Sequence, residues 1–248
     1  MSKIYEVSYA GHVVRYSFVN DETKRNFRCF LQRSDSEEFD VHATEREIEQ
    51  VRPLLPPNAK EAYVEYRCLI ELTAKALLRY DCCIFHSTSF VWQGRAFLLT
   101  APSGTGKTTQ YFNWQRLFPG EITMISGDMP VLERREDGSL WAHPTSWNGK
   151  ENIGNRICAP VAGIVLLEQG NENRIRPLPA RDAVMPFFEQ FIVRPETEAE
   201  ILALARLMDQ MLRKVPCFKF VNLGDDASTV LLRETLAPLR KEESHDKL

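Results

Sequence analysis

The segment 101–108, APSGTGKT, has the residue types and the spacing of a phosphate-binding loop. The strict pattern is G-x-x-x-x-G-K-[ST], and Ala101 takes the place of its first glycine. Gly104 and Gly106 would let consecutive backbone N–H groups converge on phosphate oxygens. Lys107 would neutralise the β- and γ-phosphates, and the Thr108 hydroxyl would bind Mg²⁺. The residues predicted to bind a nucleotide are Ser103, Gly104, Thr105, Gly106, Lys107, Thr108 and Thr109.

The flanking sequence supplies the elements that such a loop requires. The apolar run FLLTA comes before it, and TTQYFNWQRLF follows as a predicted helix whose N-terminus favours anions. A glycine turn before a helix can match the pattern by chance, but the strand, loop and helix together favour a nucleotide site. ATP and Mg²⁺ are therefore the predicted ligands, and the sequence does not separate ATP from GTP.

An acidic residue at the end of a buried strand is the next part that phosphoryl transfer requires. The run ITMISGD is apolar at Ile122, Met124 and Ile125 and ends in Asp128. Asp128 is predicted to take the acceptor's proton or to bind the metal. The alternative is a carboxylate that only caps a turn.

His86 is the third candidate for a catalytic role, beside Asp128 and Lys107. CIFHSTSFVW and RAFLLTA are predicted strands joined by a hairpin turn at Gln93-Gly94. Because the chain doubles back there, His86 is expected beside the phosphate-loop end of the second strand. An imidazole at that point could contact the transferred group, and a purely structural histidine is the alternative.

The polar loop PTSWNGKENIGNR carries a further group of candidates. Trp147 could stack on a base or on an acceptor, and Lys150 or Arg156 could face a phosphate. Glu151 could bind the metal, which makes Thr108, Asp128 and Glu151 the predicted metal ligands. A solvated loop with incidental charges is the alternative.

Composition and charge narrow the function classes. The 248 residues are 44% hydrophobic and carry a net charge of −3, with a pI of about 6.0, so no basic surface predicts nucleic acid or membrane as a partner. No apolar run reaches the roughly 20 residues that cross a bilayer. The six cysteines form no C-x-x-C pair and are expected to be reduced thiols. These features predict a cytoplasmic protein and leave a homo-oligomer open.

Periodicity predicts two units. Residues 1–57 are expected to form a small α+β unit, with a hairpin at Ala10-Gly11 and a helix capped by Thr44 and Glu47. Pro56-Pro57 marks the predicted boundary. Residues 58–248 form the second unit, which begins with a helix over 59–80. Apolar and aromatic residues recur along that helix at three- and four-residue steps and predict a buried stripe: Tyr66, Leu69, Ile70, Thr73, Leu77 and Tyr80.

Residues 82–133 resemble the HPr kinase/phosphorylase family, whose nucleotide-binding core is similar to that of phosphoenolpyruvate carboxykinase. The resemblance rests on His86-Ser87, on the loop from Ala101 to Thr108 and on Asp128, and it extends loosely to about residue 235. It implies an α/β fold with a mixed sheet and a phosphate-loop core of that type. It also implies that Asp128 is the base toward the acceptor hydroxyl, and that His86 lies near the transferred phosphoryl group.

The chain departs from that family at two places. Gly127 stands where the family usually has the first of two acidic residues. The run Glu-x-Arg-Gly-x-Gly, typical of true HPr kinases, is absent, and residues 146–152 lie in its approximate place. In this the chain looks more like the smaller HPr-kinase-related proteins, some of which accompany peptide-modification clusters and phosphorylate serine on a peptide.

The sequence therefore predicts a kinase that moves the ATP γ-phosphoryl group to a hydroxyl, with serine on a peptide or protein as the expected partner. A kinase for a small molecule such as free serine or a sugar is one alternative, and a nucleotide-binding regulatory module without transfer is another. A decarboxylating carboxykinase is disfavoured, because the chain is short and lacks an evident His/Lys set for a second metal.

Overall fold

The computed structural model describes residues 4–25 and 39–240. The strands are β1 Ile4–Tyr9, β2 His12–Ser17, β3 Phe39–Val41, β4 Cys82–Ile84, β5 Ser87–Trp92, β6 Arg95–Thr100, β7 Ile122–Ser126, β8 Val131–Arg134, β9 Leu140–His143, β10 Ala159–Gln169, β11 Arg174–Pro177 and β12 Cys217–Asn222. The helices are α1 Asp21–Arg25, α2 Glu45–Val51, α3 Glu61–Leu77, α4 Lys107–Leu117, α5 Ala180–Phe188, α6 Glu198–Lys214 and α7 Asp226–Leu236. In these two ranges no helix is long and apolar enough to cross a membrane.

The first three strands form a small sheet of their own. β1 and β2 are antiparallel around the turn at Ala10-Gly11, and β3 runs parallel to β2. α2 begins after Thr44, whose side chain accepts from the Glu47 backbone while the Glu47 side chain accepts from the Thr44 backbone. The predicted hairpin and the predicted capping box are both confirmed.

This small sheet shares a hydrophobic core with the rest of the chain. Tyr9 and Val14 belong to the same buried cluster as Leu69 of α3. The hydroxyl of Tyr16 lies 2.8 Å from that of Thr73, also on α3. Packing is therefore continuous across the boundary predicted after residue 57. The division of the chain into two domains stays a prediction.

The main sheet has nine strands and mixes parallel with antiparallel pairs. Its order is β4-β8-β9-β10-β6-β5-β7, and β12 pairs with both β10 and β11. The β5–β6 and β8–β9 pairs are antiparallel hairpins, the first of them as the sequence predicts, whereas β10 is parallel to β6 and β12. The fold is thus mixed α/β.

Helices cover both faces of the main sheet. Successive residues of a strand point to opposite faces, so neighbours in one strand pack against different helices. In β6, Leu98 belongs to the cluster that contains Leu69 of α3 and Leu207 of α6. Its neighbour Leu99 belongs to a second cluster, with Trp114 of α4 and Leu232 of α7. The sheet therefore lies between two helical layers, and its strand ends are left for the loops.

Three strand ends lie side by side at one edge of this sheet, the edge formed by the ends of the strands. β5 runs antiparallel to β6 and to β7, and Ser87 at its start is opposite Thr100 at the end of β6. Consequently the carboxyl ends of β6 and β7 lie beside the amino end of β5. Ligands of open α/β sheets bind outside the carboxyl ends of the strands. This edge is where the sequence-predicted catalytic residues lie.

Candidate active site

A glycine loop over residues 101–106 joins β6 to α4. Gly104 and Gly106 have φ values of +82° and +103°, which L side chains rarely adopt, so glycine is required at both positions. Lys107, the first residue of α4, turns back over the loop and donates to the carbonyls of Ala101 at 2.8 Å and Pro102 at 3.3 Å. The loop therefore encloses the ammonium group, which is mostly buried.

Three predicted catalytic side chains converge at this loop. His86 Nε2 lies 3.2 Å from Lys107 Nζ and 3.2 Å from Asp128 Oδ1. His86 lies one residue before β5 rather than on the strand, and its carbonyl accepts from the Thr100 hydroxyl at 2.9 Å. That bond ties the histidine to the end of β6, so the hairpin argument predicts its place correctly.

Burial changes the pKa of Lys107. Desolvation lowers the pKa of its ammonium group, and the negative charge of Asp128 opposes that shift. An anion brought to the loop would act in the same direction as Asp128, since opposite charges favour the ionised form. The lysine is therefore placed where a bound phosphate would relieve the cost of its burial.

Two residues of β5 hold the Gly127–Asp128 backbone in position. The Thr88 hydroxyl donates to the Gly127 carbonyl at 3.0 Å, and the backbone N–H of Ser87 donates to the Asp128 carbonyl at 2.8 Å. Both β5 residues are completely buried. Spacing does not predict this role, although the run His-Ser-Thr-Ser within a predicted strand is a visible signal.

Gly127 has a packing reason to be glycine. A Cβ at this position would lie 2.7 Å from the Asn148 carbonyl oxygen and 3.1 Å from that of Ile153. The Gly127 N–H donates to the same Ile153 carbonyl at 3.0 Å. An acidic side chain does not fit here without a shift of the 148–153 backbone, so Asp128 is the only carboxylate this turn can present.

These groups open into a cavity of about 800 Å³. Predicted residues that line it are His86, Ser103, Gly104, Gly106, Lys107, Thr108, Thr109, Asp128, Lys150 and Glu151. Thr105 is not among the lining residues, and its hydroxyl donates to the Pro102 carbonyl at 2.7 Å. The cavity thus collects most of the predicted site in one place.

A further wall of the cavity, which the sequence does not predict, comes from α3 and from Lys60 just before it. Lys60, Tyr63, Tyr66 and Arg67 line it. Burial, and secondarily the charge of Asp128, raise the pKa of the Tyr66 hydroxyl, so the phenol stays protonated and can donate. Tyr66 packs against the core, as the predicted stripe requires, and it also lines the cavity. Helical periodicity identifies the buried face but not a ligand cavity at its margin.

Two residues of the loop 144–156 do not lie where a ligand role requires them. Trp147 is completely buried and stacks on Tyr9 of the N-terminal sheet, with ring centroids 5.2 Å apart. The expectation that it stacks on a base or an acceptor is corrected, because packing against the small sheet removes the ring from the cavity. Arg156 lines a separate cleft with Cys158, near the β1–β2 turn, and is not among the residues that line the cavity.

A divalent metal would depend on the nucleotide as well as on the chain. Among residues 4–25 and 39–240, no group of three or more His, Cys, Asp or Glu side chains could hold a metal ion. Mg²⁺ often keeps several waters and binds through one or two carboxylates plus substrate phosphates. The oxygens of Thr108, Asp128 and Glu151 suit that mode of binding better than a cage made of protein alone.

No protein-family model and no curated protein matches the chain. Among solved structures, it is similar to the HPr(Ser) kinase/phosphatase from Coxiella burnetii, with 10% sequence identity and a TM-score of 0.37. The match covers 64% of this chain and 99% of that chain. So distant a likeness assigns no activity, which has to come from the chemistry of the site.

Proposed function

We propose that the chain is an ATP-dependent kinase that transfers the γ-phosphoryl group to a hydroxyl, on a serine of a peptide or protein. One observation carries the proposal: His86 Nε2 lies 3.2 Å from both Lys107 Nζ and Asp128 Oδ1, at the mouth of a glycine loop that starts a helix. A fixed cation and a carboxylate beside a phosphate-binding loop are groups that phosphoryl transfer uses, and an imidazole between them can stabilise developing charge.

The chain would bind the nucleotide through the loop. Backbone N–H groups of residues 103–108 and the N-terminus of α4 attract phosphate oxygens, and Lys107 supplies the positive charge. Thr108, Asp128 and Glu151 would hold Mg²⁺, which neutralises charge on the β- and γ-phosphates when bound. The protein's part is to orient these phosphates and to keep water out.

Asp128 is the base that takes the proton of the acceptor hydroxyl. As the acceptor oxygen bonds to the γ-phosphorus, the bond from that phosphorus to the β–γ bridging oxygen breaks, and the acceptor proton passes to Asp128 Oδ. Charge moves onto the bridging oxygen, where Lys107 stabilises it. Such catalysis needs positioning and charge more than covalent chemistry.

The α3 wall is the side of the cavity left for the acceptor. Tyr66 and Asp128 line the same cavity, and Tyr63 is exposed at the cavity rim. Aromatic rings and a cation, Arg67, suit an extended segment of peptide with polar groups along it. Cytoplasmic location belongs to the same proposal, because ATP is the donor.

The proposal is tested by intact-mass spectrometry with Mg-ATP and three acceptors: a serine-containing peptide library, the same library with alanine for serine, and free L-serine. Addition of one phosphoryl group to the first library alone is expected. Modification of free serine alone would identify a small-molecule kinase. ATP binding without transfer to either would favour the regulatory module and overturn the proposal.

A further inference from the structure

Gln190 lies just after α5 and is fixed against the segment that carries His86. The backbone N–H of His86 donates to the Gln190 carbonyl at 2.8 Å. Next to them, Phe85 and Phe191 form an antiparallel bridge, and their ring centroids are 5.2 Å apart. Only 5% of Gln190 is exposed. This residue is therefore held in one place relative to the imidazole.

The side chains of the two residues are joined as well. Gln190 Oε1 lies 3.0 Å from His86 Nδ1. An amide oxygen can only accept, and a neutral imidazole carries one N–H and one lone pair. The hydrogen is then on Nδ1, and the lone pair is on Nε2. Lys107 Nζ, which can only donate, is 3.2 Å from that same Nε2 and favours the same tautomer. Asp128 Oδ1, also 3.2 Å from Nε2, can only accept and favours the other tautomer.

We propose that Gln190 is a positioning residue, which keeps the hydrogen of His86 on Nδ1 and fixes the imidazole beside Lys107 and Asp128. With its hydrogen on Nε2, His86 would donate to Asp128 Oδ1, which is 3.2 Å away. With the hydrogen there, Nε2 has no lone pair to accept from Lys107 Nζ, 3.2 Å away. The catalytic consequence rests on the proposed kinase function, whereas the tautomer does not.

The tautomer is measured by NMR of protein labelled with ¹⁵N-histidine, and His86→Ala identifies the His86 signals. We expect Nδ1 of the parent protein to be protonated and Nε2 to be unprotonated. In Gln190→Met, which cannot accept, the hydrogen should move to Nε2. In Gln190→Glu, whose carboxylate only accepts, it should stay on Nδ1. A parent protein with its hydrogen on Nε2, as when the amide NH₂ faces the ring, would overturn the proposal, as would an unchanged tautomer in Gln190→Met.

Single-turnover transfer then tests the consequence for catalysis. Gln190→Met should lower the rate by about 10- to 100-fold, the usual scale for loss of a residue that orients a histidine, with the Kd for ATP unchanged. Gln190→Glu should recover part of the rate. Gln115→Met, on α4, controls for loss of a glutamine amide, since Gln115 Nε2 donates to the Ile122 carbonyl at 2.7 Å outside the cavity.

The possible failures are distinguishable. A parental rate in Gln190→Met with an altered tautomer would overturn the catalytic part of the proposal. A parent protein that transfers nothing would overturn the kinase function and with it that catalytic part, while the NMR result would still decide the tautomer. If the Gln190 variants melt no lower than Gln115→Met, the fold that holds the site is intact.

Discussion

Gly127 lies so close to Asn148 that a Cβ on the glycine would be 2.7 Å from the Asn148 carbonyl oxygen. The turn that presents Asp128 is thereby packed directly against the loop that carries Lys150 and Glu151. A side chain at 127 would push these two segments apart.

Gly127→Ala and Gly127→Asp should both destabilise the fold by about 1–3 kcal/mol or more, the cost of overpacking a site that cannot relax. Gly120→Ala is the control, because its φ of +78° is strained but a Cβ there meets nothing within 4 Å. Urea unfolding measures each difference. If Gly127→Asp were as stable as the parent, the close contact would not explain the missing acidic residue.

Lys107→Ala should abolish transfer and sharply weaken Mg-nucleotide binding, since the largely buried cation of the proposed phosphate site is lost. Calorimetry gives the Kd for ATP, and circular dichroism checks the fold. Lys150→Ala, at the cavity rim, should have a much smaller effect because its charge is exposed and screened. Unchanged affinity in folded Lys107→Ala would remove the lysine from the nucleotide site.

The stability of the protein should depend on pH through Lys107. Burial lowers the pKa of its ammonium below the usual 10.5, so the unfolded chain binds more protons in the window between the lowered value and 10.5. Stability contributed by this group therefore rises with pH across that window. Relative to Lys107→Met, the parent should gain stability from neutral pH toward about pH 10. A difference between the two proteins that stays constant with pH contradicts this prediction.

Asp128→Asn should lower turnover by about 100-fold or more, the scale of general-base loss, and leave the Kd for ATP largely intact. Asparagine keeps the size of the side chain, so the contact with His86 can persist while the basic oxygen is lost. Single-turnover transfer and calorimetry separate the two effects. Loss of nucleotide binding would instead make metal ligation the main role of Asp128.

Trp147→Ala should cost about 3–5 kcal/mol, because it leaves a large cavity beneath the N-terminal sheet. ATP affinity of the folded protein should stay near the parental value, since the ring stacks on Tyr9 and does not line the cavity. Trp141→Ala, on a partly exposed ring of β9, is the matched control and should cost less. A loss of affinity without a loss of stability would restore Trp147 to the ligand site.

Much of the site could be predicted because its signals are local. The glycine loop, the helix after it and the strand that ends in Asp128 each depend on residues close together in the chain. The place of His86 also followed from the sequence, because a two-residue hairpin fixes which strand ends are adjacent. Each of these inferences needed only alternation, turn residues and short spacing.

Other features depended on contacts between distant residues, which no local pattern encodes. Gln190 meets His86 across 104 positions of sequence, and the α3 wall reaches the loop only because the helix packs on the sheet. Trp147 lies in a polar segment that predicts an exposed loop, yet the small N-terminal sheet covers it. Spacing and alternation determined which groups could do chemistry and which strand edge carries them. Tertiary packing determined which side chains face the cavity, because burial depends on what the rest of the chain brings against each residue.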